Sequence, residues 1–181
     1  MKILNLVLLT PLLYLLVRLF IFEDVNDPIK YIYTLTGVSA TAILFISITF
    51  SIIKEKINLI KYRKIVGLYG FFYALLHLLN FIGFDAQFDV LFIFEETIDK
   101  PFIYLGMIAF FIVLFMALTS TKTLFRKFNK FHKLIYIALV LIIIHWLMAQ
   151  KSLELTSYLY LALCIVVLML RLNKLSIKSN H

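Results

Sequence analysis

The sequence predicts an all-α integral membrane protein, a six-transmembrane-helix bundle with both termini in the cytoplasm. Three observations lead there: the composition, the length of the apolar runs, and the alternation of charge between the segments joining them. Of 181 residues, 63% are apolar and the mean hydropathy is +1.00, whereas apolar usage in soluble chains is roughly 45–50%. Such an excess needs a second solvent, and lipid supplies it. Cys164 is the single cysteine, which excludes an internal disulfide and any cysteine-based metal or redox motif. Residues 1–181 show no internal repeat and no low-complexity linker, so one domain is expected.

A spanning helix needs about 20 mostly apolar residues. On that ruler the spans fall near Ile3–Phe22, Ile32–Ile53, Ile65–Phe84, Phe102–Ser120, Leu134–Met148 and Leu155–Leu170. The fifth is short, and its start can extend back through Phe131 and His132. The first has no small-residue cleavage site and a long apolar run, so it is expected to stay as a helix rather than leave as a signal peptide.

Charge sets the orientation. The N-terminus, Lys54–Lys64, Lys122–Lys133 and Arg171–His181 carry fourteen of the eighteen Lys and Arg. The alternate segments, Glu23–Lys30, Asp85–Lys100 and Gln150–Glu154, carry three of them and nine of the ten acids. Basic segments stay inside, which places both termini in the cytoplasm. This loop pattern also accounts for the net charge of +8 without nucleic acid as a partner.

Two histidines lie at membrane depth. His77 sits among Tyr73-Ala74-Leu75-Leu76 and Leu78-Leu79, and His145 between Ile142-Ile143-Ile144 and Trp146. An ionisable side chain buried among Leu and Ile in a span is expensive and points to function. Both spans run from inside to outside. His77 lies thirteen residues past Lys64 and His145 twelve past Lys133, which is about 18–20 Å from the inner edge at about 1.5 Å per residue. Equal depth on two parallel helices suits one haem iron, with a neutral imidazole on each side. The plainer reading is that each histidine hydrogen-bonds a carbonyl on a neighbouring helix.

His132 follows the basic run Arg126-Lys127-Phe128-Asn129-Lys130 and precedes His145 by thirteen residues. That distance suits a second haem nearer the cytoplasm. However, thirteen regular helical steps leave the two rings about 140° apart, and the matching depth on the third span holds Arg63 and Lys64. Single ligation, contact with a propionate or flavin phosphate, and plain solvation are all open for His132. Arg18 and Lys151, toward the outer side, have the choice of headgroups or a haem propionate. Trp146 lies against the haem edge or in ordinary packing. The aromatic run Phe88–Phe94, set among acids, is expected along the outer membrane surface, where a periplasmic partner can dock.

Five stretches together resemble the MsrQ (YedZ) family, the haem-binding membrane subunits of a periplasmic methionine sulfoxide reductase system, within the wider group of ferric-reductase-like transmembrane domains. They are Asp27-Pro28-Ile29-Lys30 with Thr36-Gly37; Arg63-Lys64-Ile65-Val66-Gly67-Leu68-Tyr69 leading to Leu76-His77; Lys100-Pro101-Phe102 with Leu105-Gly106; Ala117-Leu118-Thr119-Ser120; and the spacing of His132, Tyr136, His145 and Lys151. The chain departs from the family in three places. Its basic pair is Arg-Lys rather than two arginines, its loop before His132 is shorter, with Phe128 near the usual tryptophan, and its second helix lacks the proline-containing end.

The resemblance implies electron transfer across the membrane through haem b, one or two per chain, with His77, His145 and His132 as candidate ligands. Arg63, Lys64 and Lys151 join them as candidate cofactor-binding residues. Electrons would come from a cytoplasmic flavin reductase or the quinone pool and leave to a periplasmic molybdopterin-containing subunit that repairs oxidised methionine. Some family members are also associated with FMN. No nucleotide-binding glycine pattern is present, so a flavin would use the basic inner surface and reductant would come from a partner. The chain would then be an electron-transfer subunit rather than the catalytic one. Two other readings stand beside it: a stand-alone ferric or quinone reductase on the same scaffold, and a non-redox transporter or assembly protein whose histidines only pack.

Overall fold

The computed structural model describes residues 2–22, 25–53, 57, 59–150 and 155–179, and among them every regular element is helical. Helix α1 (Lys2–Val17) continues into a π turn at Arg18–Phe22. Helices α2 (Pro28–Ile52) and α3 (Ile60–Asn80) follow, α3 running into a second π turn, Phe81–Asp85. Short α4 (Val90–Asp99) leads to α5 (Pro101–Leu118). Short α6 (Lys122–Phe128), a 3₁₀ segment at Asn129–Leu134, α7 (Ile135–Ala149) and α8 (Leu155–Ser179) complete the order.

Five helices among the described residues are long and apolar enough to cross a membrane: Lys2–Phe22, Pro28–Ile52, Ile60–Asp85, Pro101–Leu118 and Lys122–Ala149. They match the first five spans read from the sequence, while the sixth corresponds to a shorter apolar stretch, Tyr158–Arg171, inside α8. Their outward faces are apolar, with Val7, Phe20, Phe111, Ile137 and Leu159 among the exposed side chains. Only lipid makes such a surface stable in quantity.

Local chemistry explains the helix starts. Asp27 accepts a hydrogen bond from the Lys30 N–H at 3.0 Å and Pro28 fills the first turn of α2, where a missing N–H costs nothing. Pro101 does the same for α5. Asp89 caps α4 through the N–H groups of Leu91 and Phe92, at 2.9 and 3.1 Å. Gln87 and Phe88, both at positive φ, turn the chain between the second π turn and α4. In α4, Val90, Leu91, Phe94 and Ile98 share one exposed strip.

The bundle is built from two close helix pairs, α2 with α3 and α5 with α7. Each contributes to a core. Leu44, Phe45 and Ile48 of α2 meet Val113, Ala138, Leu139 and Ile143 of α5 and α7, with Cys164 and Val167 of α8 closing that cluster. Leu8 of α1, Ala40 and Ile43 of α2, and Val66 and Tyr73 of α3 form the second. Cys164 is thus helix packing, as its apolar setting suggests.

Pro11 lies inside α1, where proline interrupts the hydrogen-bond ladder. There the Tyr73 hydroxyl, on a side chain only 1% exposed, donates to the Leu8 carbonyl at 2.8 Å and accepts from the Leu12 N–H at 3.2 Å. The carbonyl that Pro11 leaves without an N–H partner is that of Val7, which accepts from the Thr10 hydroxyl at 2.7 Å. The Tyr73 hydroxyl from α3 ties this part of α1 to the rest of the bundle.

Candidate functional site

The imidazole rings of His77 on α3 and His145 on α7 face each other with centres 6.1 Å apart and planes at 88°. The equal depth read from loop spacing therefore brings the two rings together. Each ring is also anchored on a third and fourth helix. His77 Nδ1 lies 3.2 Å from the Tyr33 carbonyl and 3.4 Å from the Thr36 hydroxyl oxygen on α2. His145 Nδ1 lies 2.6 Å from the Phe102 carbonyl on α5. A carbonyl only accepts, so both rings carry their proton on Nδ1, and Nε2 keeps its lone pair.

The plain reading of a histidine bonded to a neighbouring carbonyl is therefore correct for both rings, and it is half of the account. A metal-binding histidine ordinarily donates its second nitrogen to a carbonyl, which fixes tautomer and ring orientation. Imidazole nitrogens bond transition metals at about 2 Å, and each ring centre lies about 1 Å behind its nitrogen, so two rings on one iron have centres about 6 Å apart. The 6.1 Å observed here fits a shared haem iron. Among the described residues no group of three or more His, Cys, Asp or Glu is placed to hold a metal without such a cofactor.

A family model described as "Ferric reductase like transmembrane component" matches residues 54–147. The protein-methionine-sulfoxide reductase heme-binding subunit MsrQ of Brucella ovis is 32% identical over 154 residues, 82% of this chain and 70% of that protein. The proteins of the same name from Brucella canis and Brucella suis match to the same extent. The chain belongs to the MsrQ family. It is a multi-pass membrane protein, as the apolar helices and the family both require.

The other candidate residues lie away from the two rings. His132, 8% exposed, sits in the 3₁₀ segment with its Nε2 3.0 Å from the Thr119 hydroxyl. That hydroxyl gives its proton to the Phe115 carbonyl at 2.7 Å, so it accepts from His132 Nε2–H. The Phe125 ring stands edge-on to the imidazole at 4.8 Å. Plain solvation, one of the three readings of His132, is thus replaced by burial. The 3₁₀ segment also supplies the distortion that a regular helix lacks. Each 3₁₀ step turns about 20° further than an α step, so three such steps reduce the 140° offset from His145 to about 80°.

Arg63 is half-buried at the start of α3, where its carbonyl accepts from the Ser47 hydroxyl at 3.2 Å. Lys64 beside it is exposed. Arg171 of α8 lies over the Tyr136 ring at 5.3 Å. No carboxylate among the described residues lies within ion-pair distance of Arg63, Lys64 or Arg171. Lys151 and His181 lie outside the described residues. Arg18 is held between the rings of Tyr14 and Tyr31, at 5.9 and 6.0 Å. Trp146 packs edge-on against Tyr160 of α8 at 5.0 Å.

Sequence reasoning missed the anchors of the histidines. Tyr33 and Phe102 act through backbone carbonyls, which no residue type advertises. Thr36, Gly37 and Gly106 were legible only as family motif residues without a role. Asn80, 3% exposed and donating to the Ile29 carbonyl at 3.2 Å, gave one usable signal: an amide three residues after His77 in an apolar run.

Proposed function

We propose that this chain is the haem-carrying electron-transfer subunit of a bacterial methionine sulfoxide repair system, a single transmembrane haem-binding domain over residues 1–181. The observation that carries the reading is the pair of imidazoles 6.1 Å apart, each tied through Nδ1 to a carbonyl of a neighbouring helix. The relatives are named heme-binding subunits of a protein-methionine-sulfoxide reductase, which agrees with it. His77 and His145 would hold the iron of a b-type haem through Nε2, while the Tyr33 and Phe102 carbonyls keep the tautomer. Leu76 and Ile143, packed into the two cores beside the histidines, keep water from that level. The bound haem supplies a one-electron relay whose potential follows from its two histidine ligands and their surroundings.

Electrons enter at the cytoplasmic side from a flavin reductase or the quinone pool. Arg63 and Lys64 form the donor-facing surface, with His132 buried behind it, and their positive charge suits an anionic flavin phosphate such as that of FMN. They leave at the outer side to a periplasmic molybdopterin-containing methionine sulfoxide reductase subunit, for which residues 85–100 are the docking segment. The test is an absorbance spectrum of the purified protein, oxidised and reduced, with a pyridine haemochrome assay. A Soret band and a haem b haemochrome are expected; their absence leaves the transporter or assembly reading. A stand-alone ferric or quinone reductase would share that spectrum, and co-purification with a periplasmic molybdoenzyme separates the two.

This reading requires six spans in the cytoplasmic membrane with both termini inside, as the split of basic residues, fourteen against three, supports through the positive-inside rule. Reporter fusions are expected to place the C-terminus in the cytoplasm and residues 85–100 in the periplasm. A periplasmic C-terminus reverses the topology and with it the direction of electron flow.

A further inference from the structure

His77 and His145 are held by the same device on two different helix pairs. On α2 the Tyr33 carbonyl takes the His77 Nδ1–H, and four residues on, Gly37 faces that ring. A Cβ at Gly37 would stand 3.1 Å from His77 Cε1 and 3.2 Å from Nδ1. On α5 the Phe102 carbonyl takes the His145 Nδ1–H, and again four residues on, Gly106 faces the ring. A Cβ there would stand 2.8 Å from His145 Nδ1 and 2.9 Å from Cε1. In both cases the carbonyl belongs to an aromatic residue whose own ring flanks the imidazole, Tyr33 at 5.3 Å and Phe102 at 6.0 Å. Only an aromatic and a glycine four apart recur in the residues, so the sequence shows no repeat. The repetition lies in the geometry of α2–α3 and α5–α7.

Helical geometry gives the reason for the spacing. In an α-helix the carbonyl of residue i already accepts the N–H of residue i+4, and that residue stands over it on the same strip of surface. A carbonyl has a second lone pair, but a side chain at i+4 blocks lateral approach to it. Glycine at i+4 clears the way, and the imidazole comes down edge-on until Nδ1 meets the oxygen and Cε1 meets the glycine. Rotation about the Cβ–Cγ bond of histidine is otherwise soft. Contact at two points of the ring edge removes that freedom.

We propose that Gly37 and Gly106 are positioning residues which, with the Tyr33 and Phe102 carbonyls, fix the two imidazole planes perpendicular to each other. This rests on the haem reading and adds to it an electronic consequence. Parallel imidazoles act on the same iron dπ orbital and split the pair. Perpendicular ones act on one each and leave the pair nearly degenerate, which makes the ferric low-spin state strongly anisotropic.

The test is the EPR spectrum of the full-length, haem-loaded ferric protein. The wild type is expected to give one dominant low-field feature in place of an ordinary rhombic signal. Gly37→Ala and Gly106→Ala are expected to turn that signal rhombic or high-spin and to weaken haem binding by about 10–100-fold, the range for loss of an outer-shell partner of a metal ligand. The larger change belongs to Gly106→Ala, where the added carbon comes closer. Gly70→Ala is the control: its Cβ would meet Leu44 Cδ2 at 2.8 Å and no histidine atom, so the haem it retains must keep the wild-type signal. A rhombic wild-type spectrum overturns the cradle even if no glycine variant can be purified. So does a wild-type signal in both alanine variants, or a shifted one in Gly70→Ala. A wild type without haem overturns the function reading itself, and the cradle with it.

Discussion

Alanine at either His77 or His145 is expected to remove all of the low-spin haem that the pair binds, not half of it. The rings are 6.1 Å apart, a separation that serves one iron and is too short for two. Loss of one ring would leave a single histidine to hold the iron, still tied to its carbonyl, 3.2 Å away for His77 and 2.6 Å for His145. The remaining histidine cannot recentre without breaking that bond. Haem content by haemochrome assay and the low-spin spectrum are the measurements, and the two variants should agree. Exogenous imidazole, entering the space left by the deleted ring, should restore part of the low-spin signal in each. Full haem content with a wild-type spectrum in either single variant sinks the pairing.

The second large effect is expected at the inner end. Replacing Arg63 and Lys64 by glutamine should slow reduction of the haem by a flavin or flavin reductase about 10-fold at low salt, within the range over which surface charge steers association. The difference should shrink as salt rises, because screening acts over about 10 Å at 0.1 M. Haem content should stay at the wild-type value, since neither residue touches His77 or His145. His132→Ala should likewise keep the haem-to-protein ratio, because the Thr119 hydroxyl already occupies Nε2. A fall in that ratio, with loss of a distinct redox component, would instead give His132 a second haem. Unchanged kinetics and unchanged content together would return all three residues to the role of positive-inside anchors.

What the sequence made legible follows from what it measures. Hydropathy reports the length of an apolar run, so the first four spans were placed within about five residues, while the fifth, read from Leu134, belongs to a helical stretch that begins at Lys122. The depth of His77 and His145 followed from counting residues out from Lys64 and Lys133. The same ruler is blind to changes of helical twist. The π turns after Val17 and Asn80, and the 3₁₀ segment before Ile135, alter rotation rather than hydrophobicity, so the burial of His132 could not be read. The sixth span was set to end at Leu170, where the apolar run stops, and the apolar stretch of α8 ends at Arg171 while the helix itself runs on to Ser179. The partners of the histidines were hidden for another reason. A carbonyl belongs to every residue, and only the folded arrangement shows that those of Tyr33 and Phe102 are the ones in use.

The hydroxyl of Tyr73 has a consequence for how the protein is made. A chain synthesised from its N-terminus inserts α1 before α3, and the hydroxyl that bonds the Leu8 carbonyl and the Leu12 N–H lies 61 residues after Leu12. Until α3 arrives, α1 lacks this tie beside Pro11, so the two helices become one packed unit only when Tyr73 reaches the earlier one.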